Sequence, residues 1–309
     1  MGQSDTNTNT QSAEVDRLDR QAHELVRAAL DPNSRNCYER AWRQFESFCE
    51  KFKFQASLPI DQCILLRFIS YLFEKLYASS TICSTISALV YFHTVNDWPD
   101  PRTKKVHQAL LGIKNLRPAA QGFQPLSLDN VNNLLLNAER AFSSSFTASL
   151  FRAMASLAFY ALLRVGEFTY SRHTLRKEDV ALNGDHLSIR FKSFKHSGGV
   201  GVTQAIPAVQ RKAVCPVHLL DQYLTLRGGK KGYLFVKEDG EAPSRKEFLE
   251  WLKAVLSLCN LDVKSFNTHS FRSGMATHMA LRGFSGEQIK LAGRWSSDAY
   301  RKYIRVVNC

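Results

Sequence analysis

The chain has 309 residues, 44% hydrophobic and 22% charged, a composition that excludes a disordered or collagen-like polymer and suggests about two domains. Lys and Arg number 41 against 28 Asp and Glu, a formal charge of +13, which suits a polyanionic partner. The excess is unevenly placed: residues 1–120 carry 15 basic and 13 acidic side chains, and residues 121–309 carry 26 and 15. The longest apolar run, Ala153 to Leu163, falls well short of the roughly 20 residues that cross a bilayer, and no apolar stretch follows the first Met, so a soluble, unsecreted protein with no membrane partner is expected. Seven cysteines, odd in number and mostly inside apolar segments, read as reduced thiols rather than a disulfide framework. Cys215-Pro-Val-His218 lacks the second ligand pair that a structural zinc would need, and no metal is expected.

In chain order, residues 1–15 are polar and without apolar periodicity, which predicts a disordered tail. Residues 16–117 read as an all-α domain. The sets Val15-Leu18-Ala22-Leu25, Tyr38-Trp42-Phe45-Phe48, Ile64-Phe68-Leu72-Phe73 and Ile82-Ile86-Leu89-Val90 follow helical spacing. Asp31-Pro32 and Leu58-Pro59-Ile60-Asp61 separate them, and Trp98-Pro99-Asp100-Pro101 makes a turn. The stretch from Asn115 to Leu126 (NLRPAAQGFQPL) is Pro- and Gly-containing and reads as a linker, so a second domain is expected over 118–309. That domain is predicted to open with helices from Leu128 to about Phe142 and from Ser149 to Leu163. The period then changes to two over His186–Lys192 and Val202–Ile206, with His196-Ser197-Gly198-Gly199 as a hairpin turn between them. Helices over Val217–Leu226, Arg245–Cys259, Ser270–Leu281, Ser285–Ala292 and Asp298–Val306 complete a mainly α fold with a small β-hairpin.

Four segments of the basic part carry side chains suited to anion chemistry. Arg164 and Glu167 stand at i, i+3 directly after an apolar helix; taken alone they read as a surface ion pair. Lys195, with Lys192 as its alternative, lies near the hairpin tip, where most lysines are merely solvated. His269 and Arg272 at i, i+3 on a helix start can both donate to one phosphate, or can be a capping histidine beside a surface arginine. Gly293-Arg294-Trp295 precedes a segment with Tyr300 and Tyr303, either of which can be core or nucleophile.

The order Arg164, Glu167, Lys195, His269-x-x-Arg272, Trp295, Tyr303 resembles the tyrosine recombinase (phage integrase, Cre-like) family. The wording Ala161-Leu-Leu-Arg-Val-Gly-Glu167 and Thr268-His-Ser-Phe-Arg272 is most similar to recombinases of eukaryotic mobile elements of the DIRS or crypton type. The resemblance spans nearly the whole chain from about residue 16 and implies a helical core-binding clamp followed by a catalytic domain. It implies a site-specific enzyme that cuts and rejoins DNA strands through a 3′-phosphotyrosine. Tyr303 would be the nucleophile, Arg164 and Arg272 the phosphate clamp, and His269 a base or donor. Lys195 would protonate the leaving 5′-oxygen, Trp295 would stabilise and pack, and Glu167 would support Arg164. Two departures stand out: Trp295 precedes Tyr303 by eight positions where the family more often has nine, and Tyr300 competes one turn earlier. With six residues after Tyr303, the C-terminal helix that many members dock onto a neighbour is expected to be short or missing.

The resemblance further implies a homo-tetramer on paired double-stranded DNA sites, nuclear residence in a eukaryotic host, and otherwise a cytoplasmic one. No cofactor is implied, since two arginines and a lysine supply the positive charge that Mg²⁺ supplies in other phosphoryl-transfer sites; no Gly-rich phosphate loop is present, so no nucleotide is expected. Arg172, Arg176, Lys177, Arg190, Arg211 and Lys212, with Arg35, Arg40, Arg43, Lys104 and Lys105 of the first domain, are the expected contacts to the DNA backbone. A catalytically inactive DNA-binding derivative and a type IB topoisomerase are the competing readings.

Overall fold

The computed structural model describes residues 5–118, 122–192 and 201–304, with side chains from Glu14 onward. The chain divides into two compact units, residues 1–121 and 122–309, the break falling inside the Pro- and Gly-containing stretch. Lys195 and the His196–Gly199 turn lie outside the described residues. Among the described residues no helix is long and apolar enough to cross a membrane.

The first unit is helical: α1 (Asp5–Ala28), α2 (Pro32–Phe52), α3 (Gln62–Glu74), α4 (Ser79–Thr94) and α5 (Lys104–Leu116). Helix starts follow from local chemistry. Asp31 accepts from Asn33 N at 2.8 Å with Pro32 at the first helical position, and Asp61 accepts from Cys63 N and Ile64 N at 2.8 and 3.0 Å, satisfying amides that the helix itself leaves unpaired. Phe45, Phe48, Leu65, Phe68, Ile69, Ile82, Ile86 and Leu89 form the core, to which α5 adds Val106 and Ile113. His93 is buried beneath it, its Nε2 accepting from Ile60 N at 3.0 Å and its Nδ1 donating to the Pro99 carbonyl at 2.8 Å.

The expectation of a disordered tail over 1–15 is not met at Asp5 and beyond, where α1 already runs. Once the amphipathic stretch after Val15 has nucleated a helix, each added residue gains a backbone hydrogen bond at little further cost, so a helix can extend through a polar stretch.

The second unit wraps around one almost wholly buried helix. Ser127 caps α6 (Leu128–Asn137) by accepting from Asn130 N at 3.1 Å. Next comes α7 (Ser145–Tyr160), in which every residue from Ala153 to Phe159 is buried. A single turn, α8 (Val165–Phe168), leads to an antiparallel three-stranded sheet of β1 (Val180–Leu182), β2 (His186–Phe191) and β3 (Val202–Pro207) in that order. The strands expected over His186–Lys192 and Val202–Ile206 form; β1 is an addition, too short for alternation to reveal. Register pairs Leu187 with Ile206, Ile189 with Gln204 and Phe191 with Val202. Directly paired residues of antiparallel strands share a face, so Gln204 belongs to the face that buries Leu187, Ile189 and Phe191.

Helices α9 (Pro216–Arg227), α10 (Arg245–Leu258), α11 (His269–Leu281) and α12 (Gly286–Ala292) follow. Reciprocal caps start two of them: Ser244 with Glu247, and Ser285 with Gln288. At Gly274, α11 crosses so close to Leu126 that a Cβ would run into the Leu126 carbonyl, and Leu126 N donates to the Ser270 carbonyl at 3.0 Å. Of the helix expected over Asp298–Val306, the described part is a 3₁₀ segment, Asp298–Lys302, followed by Tyr303; Arg305 and Val306 lie outside the described residues. Cys215 is buried and its Sγ accepts from Val209 N at 3.4 Å, which accounts for it as a packed thiol.

Candidate active site

The site is built where α7 stops. Leu162 adopts φ +46°, a left-handed conformation costly for a branched side chain, and Leu163 N bonds back to the Ala158 carbonyl at 3.2 Å. This is the six-to-one closure of a helix C-terminus, made with leucine where glycine is usual. It leaves the Ala161 and Leu162 carbonyls facing the interior, where they need donors.

Two arginines supply them. Arg272 on α11 is 1% exposed and donates through Nη1 to the Leu162 carbonyl and through Nη2 to the Gly293 carbonyl. Arg294, 7% exposed and itself at φ +55°, donates through Nη1 to the Ala161 carbonyl at 3.2 Å. Its Nη1 also reaches Gln204 Oε1 at 2.6 Å, and its guanidinium lies 3.7 Å over the Phe191 ring.

Arg164 begins α8, and its neighbour Glu167 is no surface residue: the carboxylate is 2% exposed and the Arg164 side chain 22%. Glu167 Oε2 accepts from Arg164 N at 2.8 Å and from Arg294 Nη2 at 2.7 Å, while Oε1 accepts from Arg164 Nη1 at 3.3 Å. Arg164 Nη2 closes the ring by donating to the Arg294 carbonyl at 3.2 Å. Arg164, Glu167, Arg272 and Arg294 therefore form one cluster holding three guanidinium groups and one carboxylate. Burial, and then the charges of Arg164 and Arg294, push the Arg272 pKa down to about 9, which still leaves it protonated at neutral pH. Burial likewise lowers that of Arg294, with Glu167 opposing. Such an excess of positive charge in a poorly solvated place favours an anion.

The aromatic residues roof this cluster. The Trp295 ring sits 4.0 Å from the Arg272 guanidinium and packs on Gly293, where a Cβ would enter the indole. The Tyr303 ring lies 5.6 Å from the same guanidinium and 5.2 Å from Trp295. Tyr300 is 8% exposed and its hydroxyl is packed against Gly286, where a Cβ would collide with it, whereas Tyr303 is only half-buried. His269 opens α11 on the solvent side, and its pKa is lowered first by loss of solvent around the ring and then by Arg245, Arg272 and Arg164.

Of the residues singled out from sequence, Arg164, Glu167, His269, Arg272, Trp295 and Tyr303 thus converge on one place. Lys192 does not: it pairs with the buried Asp179 at 2.7 Å. Among the expected DNA contacts, Lys177 Nζ donates to the Gly228 carbonyl at 3.0 Å and Arg35 Nη2 to the Arg27 carbonyl at 2.9 Å. Arg176 lies 5.4 Å over the Tyr233 ring and remains exposed, as do Arg40, Arg43, Lys104, Lys105, Arg172, Arg190, Arg211 and Lys212. Sequence reading passed over Arg294 and Gln204. The signal for Arg294 is its place nine positions before Tyr303, the interval that Trp295 fails to satisfy.

Residues 124–306, more than half of the chain, match the phage integrase family. The chain belongs to that family. It is a site-specific tyrosine recombinase, a DNA strand-transesterification enzyme. No curated relative matches the sequence. Among solved structures, the recombinase is similar in fold to the Tn1549 transposon integrase in complex with transposon right end DNA, at 16% identity and TM-score 0.66 over 94% of each chain. It is similar to the XerH site-specific recombinase bound to palindromic difH substrate, at 16% identity and TM-score 0.66, covering 87% of this chain and 75% of that one. A lambda integrase dimer bound to a COC′ core site aligns at 17% identity and TM-score 0.59, over 93% of this chain and 76% of that one.

Proposed function

We propose that Tyr303 is the nucleophile of this recombinase and that Arg164, Arg272 and His269 hold and activate the phosphodiester it attacks. The observation that carries the reading is the Tyr303 ring beside Arg272, at the mouth of a buried cluster with more guanidinium groups than carboxylates. In the reaction the phenol oxygen forms a bond to phosphorus as the bond to the 5′-oxygen breaks, leaving a 3′-phosphotyrosine and a free 5′-hydroxyl that can reverse the step on a second strand. A phenol with a pKa near 10 attacks a monoanion poorly unless charge on the non-bridging oxygens is offset. The two guanidinium forks do this. His269, held neutral at pH 7 by its lowered pKa, accepts the phenol proton, and Lys195 returns a proton to the departing 5′-oxygen. Trp295 acts by packing: its ring supports Arg272 and orients Tyr303. Tyr300, with its hydroxyl spent on close packing, is a core residue.

The exposed cations Arg40, Arg43, Lys104, Lys105, Arg172, Arg176, Arg190, Arg211 and Lys212 track the duplex backbone, and their contribution falls with salt. Four copies act on paired sites of double-stranded DNA, and the enzyme mobilises a genetic element, in the nucleus where the host is eukaryotic and otherwise in the cytoplasm. Nicked suicide duplexes built from the repeats flanking the gene test the reading. The wild-type chain should form a covalent adduct that Tyr303→Phe abolishes and Tyr300→Phe retains. Adduct formation by Tyr303→Phe sinks the assignment.

A further inference from the structure

We propose that Arg294 is a positioning residue for the phosphate clamp: without reaching substrate itself, it fixes Glu167 and thereby aims the Arg164 guanidinium. The Arg294 and Glu167 side chains are each 2% exposed, so this pair faces the interior. Glu167 Oε2 is shared between Arg294 Nη2 at 2.7 Å and Arg164 N at 2.8 Å, and Oε1 takes Arg164 Nη1 at 3.3 Å. A carboxylate bonded to Arg164 alone would leave both side chains free to turn together. Pinned from its far side by a second, immobile guanidinium, it becomes a fixed post against which Arg164 is oriented.

Arg294 is immobile for identifiable reasons. Nη1 bonds the Ala161 carbonyl and Gln204 Oε1, the guanidinium plane rests on Phe191, and the Arg294 carbonyl accepts from Arg164 Nη2. These partners lie on the end of α7, on β2 and on β3, so the fork registers the clamp against both the helix and the sheet. Sharing also matters electrostatically: one carboxylate divided between two guanidinium groups cannot neutralise Arg164, which keeps its capacity to hold an anion. A lysine at 294 would preserve the charge, but its single ammonium head lacks the planar fork that reaches Glu167, Gln204 and Ala161 together.

The inference rests on the reading of Arg164 as a phosphate-holding group, and it is tested without DNA. The full chain, Arg294→Lys, Arg164→Lys and the double variant are titrated with orthovanadate at constant ionic strength, following the thermal midpoint. Arg294→Lys should weaken orthovanadate affinity about tenfold, as expected for misplacing one charged hydrogen bond. The double variant should be no weaker than Arg164→Lys alone, because no fork is then left to aim. Additive losses, unchanged affinity in Arg294→Lys, or no binding by the wild type each overturn the proposal. If Arg294→Lys fails to melt cooperatively, Glu167→Gln, nearly isosteric, takes its place in the same cycle with the same outcomes. A wild-type chain that binds orthovanadate yet forms no Tyr303–DNA adduct would remove the nucleophile assignment and leave this inference standing.

Discussion

Nη2 of Arg294 lies 2.7 Å from Oε2 of Glu167, and neither side chain is more than 2% exposed. Removing one partner of a buried pair strands the other charge away from water, which costs more than the pair itself contributes. Glu167→Ala would leave Arg164, Arg272 and Arg294 with no carboxylate among them, and should lower the unfolding free energy by about 3–5 kcal/mol. Urea denaturation of the two proteins measures it. A loss below about 1 kcal/mol, the range of exposed pairs, would mean that the carboxylate is solvated after all.

The lowered pKa of His269 makes stability pH-dependent with a definite sign. As pH falls, the unfolded imidazole takes up a proton first, near its ordinary value of about 6.5, while the folded one resists. The stability tied to this group is therefore complete above that value and drains away as pH falls from there through the lower folded value. His278, lowered by burial first and then by Arg282, acts in the same direction. Stability should rise between about pH 5 and pH 7, and His269→Gln should make that rise shallower. An unchanged slope in denaturation at a series of pH values would refute the shift.

Gly274 is where α11 meets the Leu126 backbone. A methyl group there would run into the Leu126 carbonyl and crowd the Phe159 ring, and backbone yields far less readily than a side chain. Gly274→Ala, which elsewhere in a helix would be favourable, should here destabilise by about 3 kcal/mol, read as a fall in thermal midpoint. A midpoint at or above that of the wild type would show that the crossing relaxes freely.

In the first unit, His93 serves two backbone groups at once, accepting from Ile60 N and donating to the Pro99 carbonyl. The Ile60 amide can only donate, so the neutral ring must carry its proton on Nδ1. His93→Leu keeps the apolar volume and leaves both backbone groups unpaired, an expected cost of about 2–3 kcal/mol. Chemical denaturation of the full chain monitors it, and a neutral effect would indicate that water replaces the ring.

Much of the fold was legible because helical periodicity is strong where a helix has one buried stripe, as in α2 and α3 with Phe45, Phe48, Leu65 and Phe68. Proline and aspartate marked the helix starts through their own local bonding. Legibility failed where local pattern is brief or tertiary: β1 is three residues long, Asp298–Lys302 is a 3₁₀ segment in which Tyr300 packs on Gly286, and α1 extends through a polar stretch with no apolar signal. Arg164 and Glu167, taken alone, read as a surface ion pair, since spacing at i, i+3 is blind to burial, and the structure buries Glu167 instead.

Residue type and chain order by themselves determined that this is a basic, mainly helical protein of two units carrying the tyrosine recombinase series from Arg164 to Tyr303. Only the tertiary structure showed that Lys192, Lys177 and Arg35 have partners within the chain, and that Arg294, unremarkable in sequence, is central. The physical reason is separation. The Arg164 guanidinium bonds a carbonyl 130 positions away, and burial at such a junction depends on how α7, β3 and the turn before Trp295 come together, which no local spacing encodes.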